Sequence, residues 1–161
     1  MAALAAVFAM GSVVQAEECP LGRATYAQPG GVWQVVVSPR PEDGASNQFA
    51  AIRLIGPKDF PPYEGGLFVP NGFGQPMASL APACVEGGAT ECVGYDDVIY
   101  ALMPGGIEVF PYSFEQPMMA PQQILLPGFA GGVWYSPYRE AAFAIEPGLL
   151  DVFTLETCRP E

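Results

Sequence analysis

The sequence predicts an all-β fold, a single antiparallel sandwich or barrel of about ten short strands with Gly/Pro-rich turns, stabilised by disulfides. Three observations carry that expectation. The 19 glycines and 18 prolines fall between short apolar runs rather than in one block. Proline removes a helical donor and clashes with the preceding turn, so long helices do not fit between them. The runs are rich in β-branched and aromatic residues, the clearest being Val32-Trp33-Gln34-Val35-Val36-Val37, which Gly30-Gly31 opens and Pro39 stops. Lastly, Cys19, Cys84, Cys92 and Cys158 are an even set behind an apolar leader, the pattern of an oxidising compartment.

Taken in order, strands are expected at 23–27, 32–37, 49–55, 67–69, 77–80, 98–103, 107–112, 123–126, 133–135, 141–145 and 150–156. Pro104-Gly105-Gly106 joins two strong runs and predicts a hairpin. Asn71-Gly72 predicts another tight turn, and Pro70 and Pro76 assign that hairpin to a sheet edge. After Gly106, alternation places Ile107 and Val109 on one face and Glu108, Phe110 and Tyr112 on the other. Phe110 and Tyr112 then share a half-exposed face with a charge, a candidate contact surface. Residues 137–145 are the one tolerable helical segment, although 141–145 suit a strand equally well. Glycine pairs open four stretches, at Gly30, Gly65, Gly105 and Gly131, at unequal intervals. Recurrent turn chemistry explains them better than an internal repeat does.

Residues 1–16 read as a signal peptide, an uncharged apolar run followed by Val14-Gln15-Ala16. The run is shorter than the roughly 20 residues a membrane-spanning helix needs, so no stable membrane insertion is expected after cleavage. Residues 17–161 then form one β-rich domain, secreted or periplasmic. Four cysteines allow three pairings. The expected one joins Cys84 to Cys92 across a short loop and Cys19 to Cys158 across the ends of the domain. Zinc is the weaker reading, because the chain has no C-x-x-C pair and no histidine.

The absence of histidine removes Ser-His-Asp and Cys-His catalysis. No phosphate loop, dinucleotide fingerprint or nucleophile elbow is present, and no cofactor or metal is expected. A Ser–Lys dyad would have to use Lys58, the one lysine, and calcium would have to use Asp96-Asp97 or residues 42–47, which lack a regular loop spacing. The net charge of −11 repels phosphate backbones and anionic lipids and favours a basic partner. The leading expectation is therefore a non-enzymatic binding or interaction module outside the cytoplasm, with a basic protein as its most specific partner. A barrel enclosing a small apolar ligand beside Trp33 or Trp134, the two tryptophans, is the second reading. A carboxylate-dependent glycan hydrolase is the third.

Overall fold

The computed structural model describes residues 19–72, 74–83 and 94–160. Ten antiparallel strands form one sheet: β1 (Ala24–Ala27), β2 (Gln34–Pro39), β3 (Gln48–Ile55), β4 (Tyr63–Phe68), β5 (Met77–Pro82), β6 (Tyr95–Val98), β7 (Tyr100–Met103), β8 (Gly106–Val109), β9 (Gln123–Leu125) and β10 (Val152–Cys158). Their order across the sheet is β6-β5-β4-β3-β2-β1-β10-β9-β7-β8. β6 and β7 stand near opposite ends of that order, yet only Ile99 separates them in the chain. Segment 95–103 thus draws the two ends together, and the sheet curls into a half-barrel. The expected all-β, antiparallel architecture is present.

Alternation along the strands fills the concave side. Val35 and Val37 of β2, Ala50, Ile52 and Leu54 of β3, and Ala78 and Leu80 of β5 are buried, while the residues between Val35 and Val37, and between Ala78 and Leu80, are less so. That is the period of two a pleated strand imposes. The β1–β2 turn needs its glycines: Gly30 (φ 92°) and Gly31 (φ 68°) are both left-handed, a region that L-residues with a Cβ avoid.

The ends of the chain are tied twice. Cys19 and Cys158 form a disulfide with a Cα–Cα distance of 5.6 Å, as the cysteine pattern led us to expect. Beside it, β1 pairs with β10, with Ala24 opposite Cys158. Arg159 then donates from Nη2 to the carbonyl of Gly22 at 3.0 Å and to that of Val37. Cys84, Cys92 and residues 1–16 lie outside the described residues.

Four local expectations are corrected. The strand foreseen at 133–135 is the end of a helix, α1 (Phe129–Trp134), and 141–145 overlaps a second, α2 (Arg139–Ala142), on the helical candidate segment. Two glycines inside α1 cost it roughly 1 kcal/mol each relative to alanine, so tertiary contacts must hold it. Phe129 and Val133, four residues apart, are buried on one face. Asp151 supplies the cap from outside, its carboxylate accepting the N–H of Gly128 at 2.9 Å and of Ala130 at 2.7 Å. Next, the β4–β5 hairpin is interior rather than at an edge, since β4 also pairs with β3 and β5 with β6. Pro70 and Pro76 sit between the strands and remove no ladder donor. Segment 98–103 is broken at Ile99, whose N–H turns to the carbonyl of Pro76 at 3.1 Å. Finally, Phe110 is fully buried and leaves Tyr112 on the half-exposed face without it.

The Asp151 cap predicts a measurable local effect. Asp151→Ala should cost about 0.5–2 kcal/mol of global stability, the usual worth of an N-terminal cap. Asp151→Asn should lose less, because one acceptor oxygen survives. Thermal unfolding followed by circular dichroism checks both; an unchanged melting temperature in the alanine variant would show that α1 does not need the carboxylate.

Candidate functional site

The two tryptophans follow the same Gly-Gly-Val lead-in but have different fates. Trp33 is 2% exposed and enters β2 from inside the half-barrel. Its ring meets Phe60 edge-on at 4.8 Å, Phe60 stacks on Tyr63 at 5.2 Å, and Tyr63 meets Phe129 of α1 at 5.8 Å. Edge-on and offset contacts of this kind add to the burial energy of each ring. Trp33 is therefore a core residue, part of an aromatic bridge that fastens the helices to the sheet. Trp134, at the end of α1, is 40% exposed. The Arg139 guanidinium lies 3.8 Å over its ring and Phe143 packs edge-on at 4.9 Å.

The interior beside these rings is filled. The space enclosed by Tyr63, Tyr95, Phe129 and Val133 is about 30 Å³, room for one water molecule, against roughly 300 Å³ or more for a small-molecule pocket. The tyrosines report how dry this region is. Burial raises the phenols of Tyr26, Tyr63 and Tyr95 above the ordinary value; Tyr63 is pushed up to about 12, and the Asp97 and Asp151 carboxylates raise Tyr95 further.

Each of these phenols is neutral when folded, and in the unfolded chain it titrates near the reference value of about 10. Their contribution to stability is whole below that pH and, for Tyr63, is lost as the pH rises from about 10 through about 12. Absorbance at 295 nm should therefore rise in two phases, the later one coinciding with loss of near-UV circular dichroism. A single phase near pH 10 with tertiary signal intact would contradict this burial.

A second aromatic group closes the other end of β3. Phe49 packs with Phe110 at 6.3 Å, Tyr112 at 6.0 Å and Phe114 at 6.4 Å. Phe49 is the second residue of β3 and Gly56, against Trp33, follows its end, so the two aromatic groups lie roughly 20 Å apart at about 3.3 Å per residue.

From the Phe110 end the β7–β8 hairpin projects. Among the described residues β8 pairs with β7 alone and ends the strand order, leaving its outer edge open. All four of its residues are exposed, with Ile107 at 63% and Val109 at 50%. The apolar pair that alternation grouped on one face thus looks outward, and Met103 at the end of β7 is exposed with it. Glu108 lies between them. Charge is distributed unevenly around this edge: between Lys58 and Arg139 the chain contains no lysine, arginine or histidine but does contain Asp96, Asp97, Glu108 and Glu115. All four of those acids are exposed. The strands β4 to β9 consequently carry no cation of their own, and Arg53 of β3 makes an ion pair with Glu64 of β4 at 3.1 Å.

Among the described residues no group of three or more His, Cys, Asp or Glu side chains is gathered to hold a metal, and no helix is long and apolar enough to cross a membrane. Asp97 turns its carboxylate to the N–H of Val98 at 2.7 Å. Apart from Asp151, which is half-buried and committed to α1, every described Asp and Glu is exposed. Sequence reasoning named the tryptophans and predicted the hairpin, but placed the candidate contact surface on the Phe110 and Tyr112 face instead of on Ile107 and Val109, which flank Glu108 and are exposed. Comparison with protein-family models, with curated proteins and with solved structures finds no match for this chain.

Proposed function

We propose that this protein is an extracytoplasmic, non-enzymatic interaction module that recognises a basic protein partner through its β7–β8 hairpin. The observation that carries the reading is the open β8 edge, with Ile107 and Val109 exposed around Glu108 on a hairpin that bears no cation of its own. An open strand edge pairs readily with an extended segment of another chain. Exposed aliphatic side chains add contact area, and the uncompensated acids select positive charge and speed encounter. The Cys19–Cys158 disulfide supports an oxidising location, secreted or periplasmic.

The burial of Trp33 and the small space left beside Tyr63 and Phe129 give the enclosed apolar ligand no support. Exposed, separately placed acids give none to a glycan hydrolase, which needs two carboxyls facing each other in a cleft.

The test uses two extended peptides of alternating pattern, one of lysine and leucine and one of glutamate and leucine. The lysine peptide should bind, and its affinity should fall steeply between about 0.01 and 0.1 M salt, where the Debye length shortens from about 30 to about 10 Å. Glu108→Lys and Ile107→Ser should each weaken it without changing the melting temperature, since both side chains are exposed. Binding that is insensitive to salt, equal for the two peptides, or unchanged in both variants would overturn the proposal.

A further inference from the structure

A groove of about 340 Å³ opens beside the Phe49 aromatic group, between the 3-10 turn Leu21–Arg23, the facing ends of β2 and β3, and segment 113–118. Its chemistry runs against that of the rest of the molecule. The walls include apolar side chains, Leu21, Phe49, Phe114 and Met118 among them, while Arg23 and Arg40 contribute from two different segments. A third arginine supports the wall from behind, because Arg159 donates from Nη2 to the carbonyl of Gly22 at 3.0 Å and lies 3.4 Å from Ser38 Oγ, both residues of the groove. Half of the six cations in a chain of net charge −11 thus belong to this one place.

Segment 113–118 is shaped locally: Ser113 Oγ accepts the N–H groups of Glu115 and Gln116 at 3.2 and 3.0 Å. That turn holds Phe114 against Phe49 and so sets one wall. Arg40 uses one guanidinium nitrogen on the carbonyl of Gly44 at 2.9 Å, which fixes the side chain and leaves other donors of its five for a ligand.

We propose that this groove binds a small amphipathic acid, an aliphatic or aromatic body carrying one carboxylate. Arginine presents a planar fork of donors that matches a carboxylate, and apolar walls of about this volume accept a small organic body. The charge of the ligand is limited to one. Glu115 lines the same groove, and the excess of acids elsewhere repels polyanions. The site is independent of the hairpin surface, so either assignment can fail without the other.

Calorimetric titration of the intact, oxidised chain with decanoate, decanol and decyltrimethylammonium tests it. Decanoate should bind, decanol about tenfold more weakly and the ammonium more weakly still, as the loss of a charged hydrogen bond implies. Arg40→Ala and Phe114→Ala should each weaken decanoate about tenfold, while Trp134→Ala, far along the chain on α1, should not. Arg40 and Phe114 are exposed, so melting temperatures close to that of the parent should accompany both losses. Equal affinity for decanoate and decanol, an affinity unchanged in both groove variants, or no binding of decanoate would overturn the assignment.

Discussion

Replacing Cys19 and Cys158 together by serine is expected to destabilise the protein by about 5 kcal/mol, the largest single effect anticipated here. The bridge closes a loop with a sequence separation of 139, and a cross-link between distant positions removes the most freedom from the unfolded chain. Nothing local replaces it. β1 is only four residues long and its ladder with β10 already shifts register between Thr25 and Tyr26. Without the disulfide, the junction between the first and last strands rests on that ladder and on the Arg159 contacts. Because stabilities of small domains run to about 5–15 kcal/mol, the doubly substituted chain should be partly unfolded in buffer. Urea titration under oxidising conditions checks this: the parent should unfold at much higher urea than the serine variant. Coincident midpoints would show that the bridge contributes little.

Trp33→Ala should cost about 3–5 kcal/mol, the range for removing a large aromatic side chain from a packed core. The Trp33 ring is fully buried. It touches Phe60 directly, and through Phe60 and Tyr63 it reaches α1. It also packs against Gly56, where an added Cβ would overlap the ring. Gly56→Ala in the parent should therefore destabilise by about 1–3 kcal/mol, the usual cost of overpacking. In a Trp33→Ala background the same methyl enters vacated space and its cost should disappear. A double-mutant cycle read by urea unfolding would give a coupling within the range of about 0.5–3 kcal/mol expected of touching residues. Additive losses would mean that Trp33 and Gly56 are not in contact in solution.

Much of the sheet was legible because its strands announce themselves by composition and stop at glycine or proline. The run expected at 49–55 is β3 (Gln48–Ile55), that at 77–80 lies within β5 (Met77–Pro82), and Pro104-Gly105-Gly106 is the β7–β8 turn. The errors share a cause, in that distant residues reversed a local preference. A stretch reading Gly-Gly-Val-Trp became helical at 131–134 because Asp151, beyond α2 in the chain, accepts the leading N–H groups of α1. An apolar pair in β8 stays exposed because, among the described residues, nothing packs over this terminal hairpin, all four of whose β8 residues are exposed. Pro70 and Pro76 allow an interior hairpin because they fall just outside the ladder.

The sequence by itself determined the antiparallel β class and the positions of most strands, which follow from punctuation and periodicity, and it made Cys19–Cys158 one of three possible pairings, the one the structure contains. It also determined how acidic the molecule is and how much histidine chemistry it forgoes. Only the tertiary structure decided which tryptophan is core, which edge stays open and where the few arginines gather. Those outcomes depend on segments far apart in the chain: Trp33 meets Phe60 and Gly56, and the groove draws on 20–23, 38–40 and 113–118. No local pattern encodes a juxtaposition of that kind, because it exists only once the sheet has curled and brought its distant strands together.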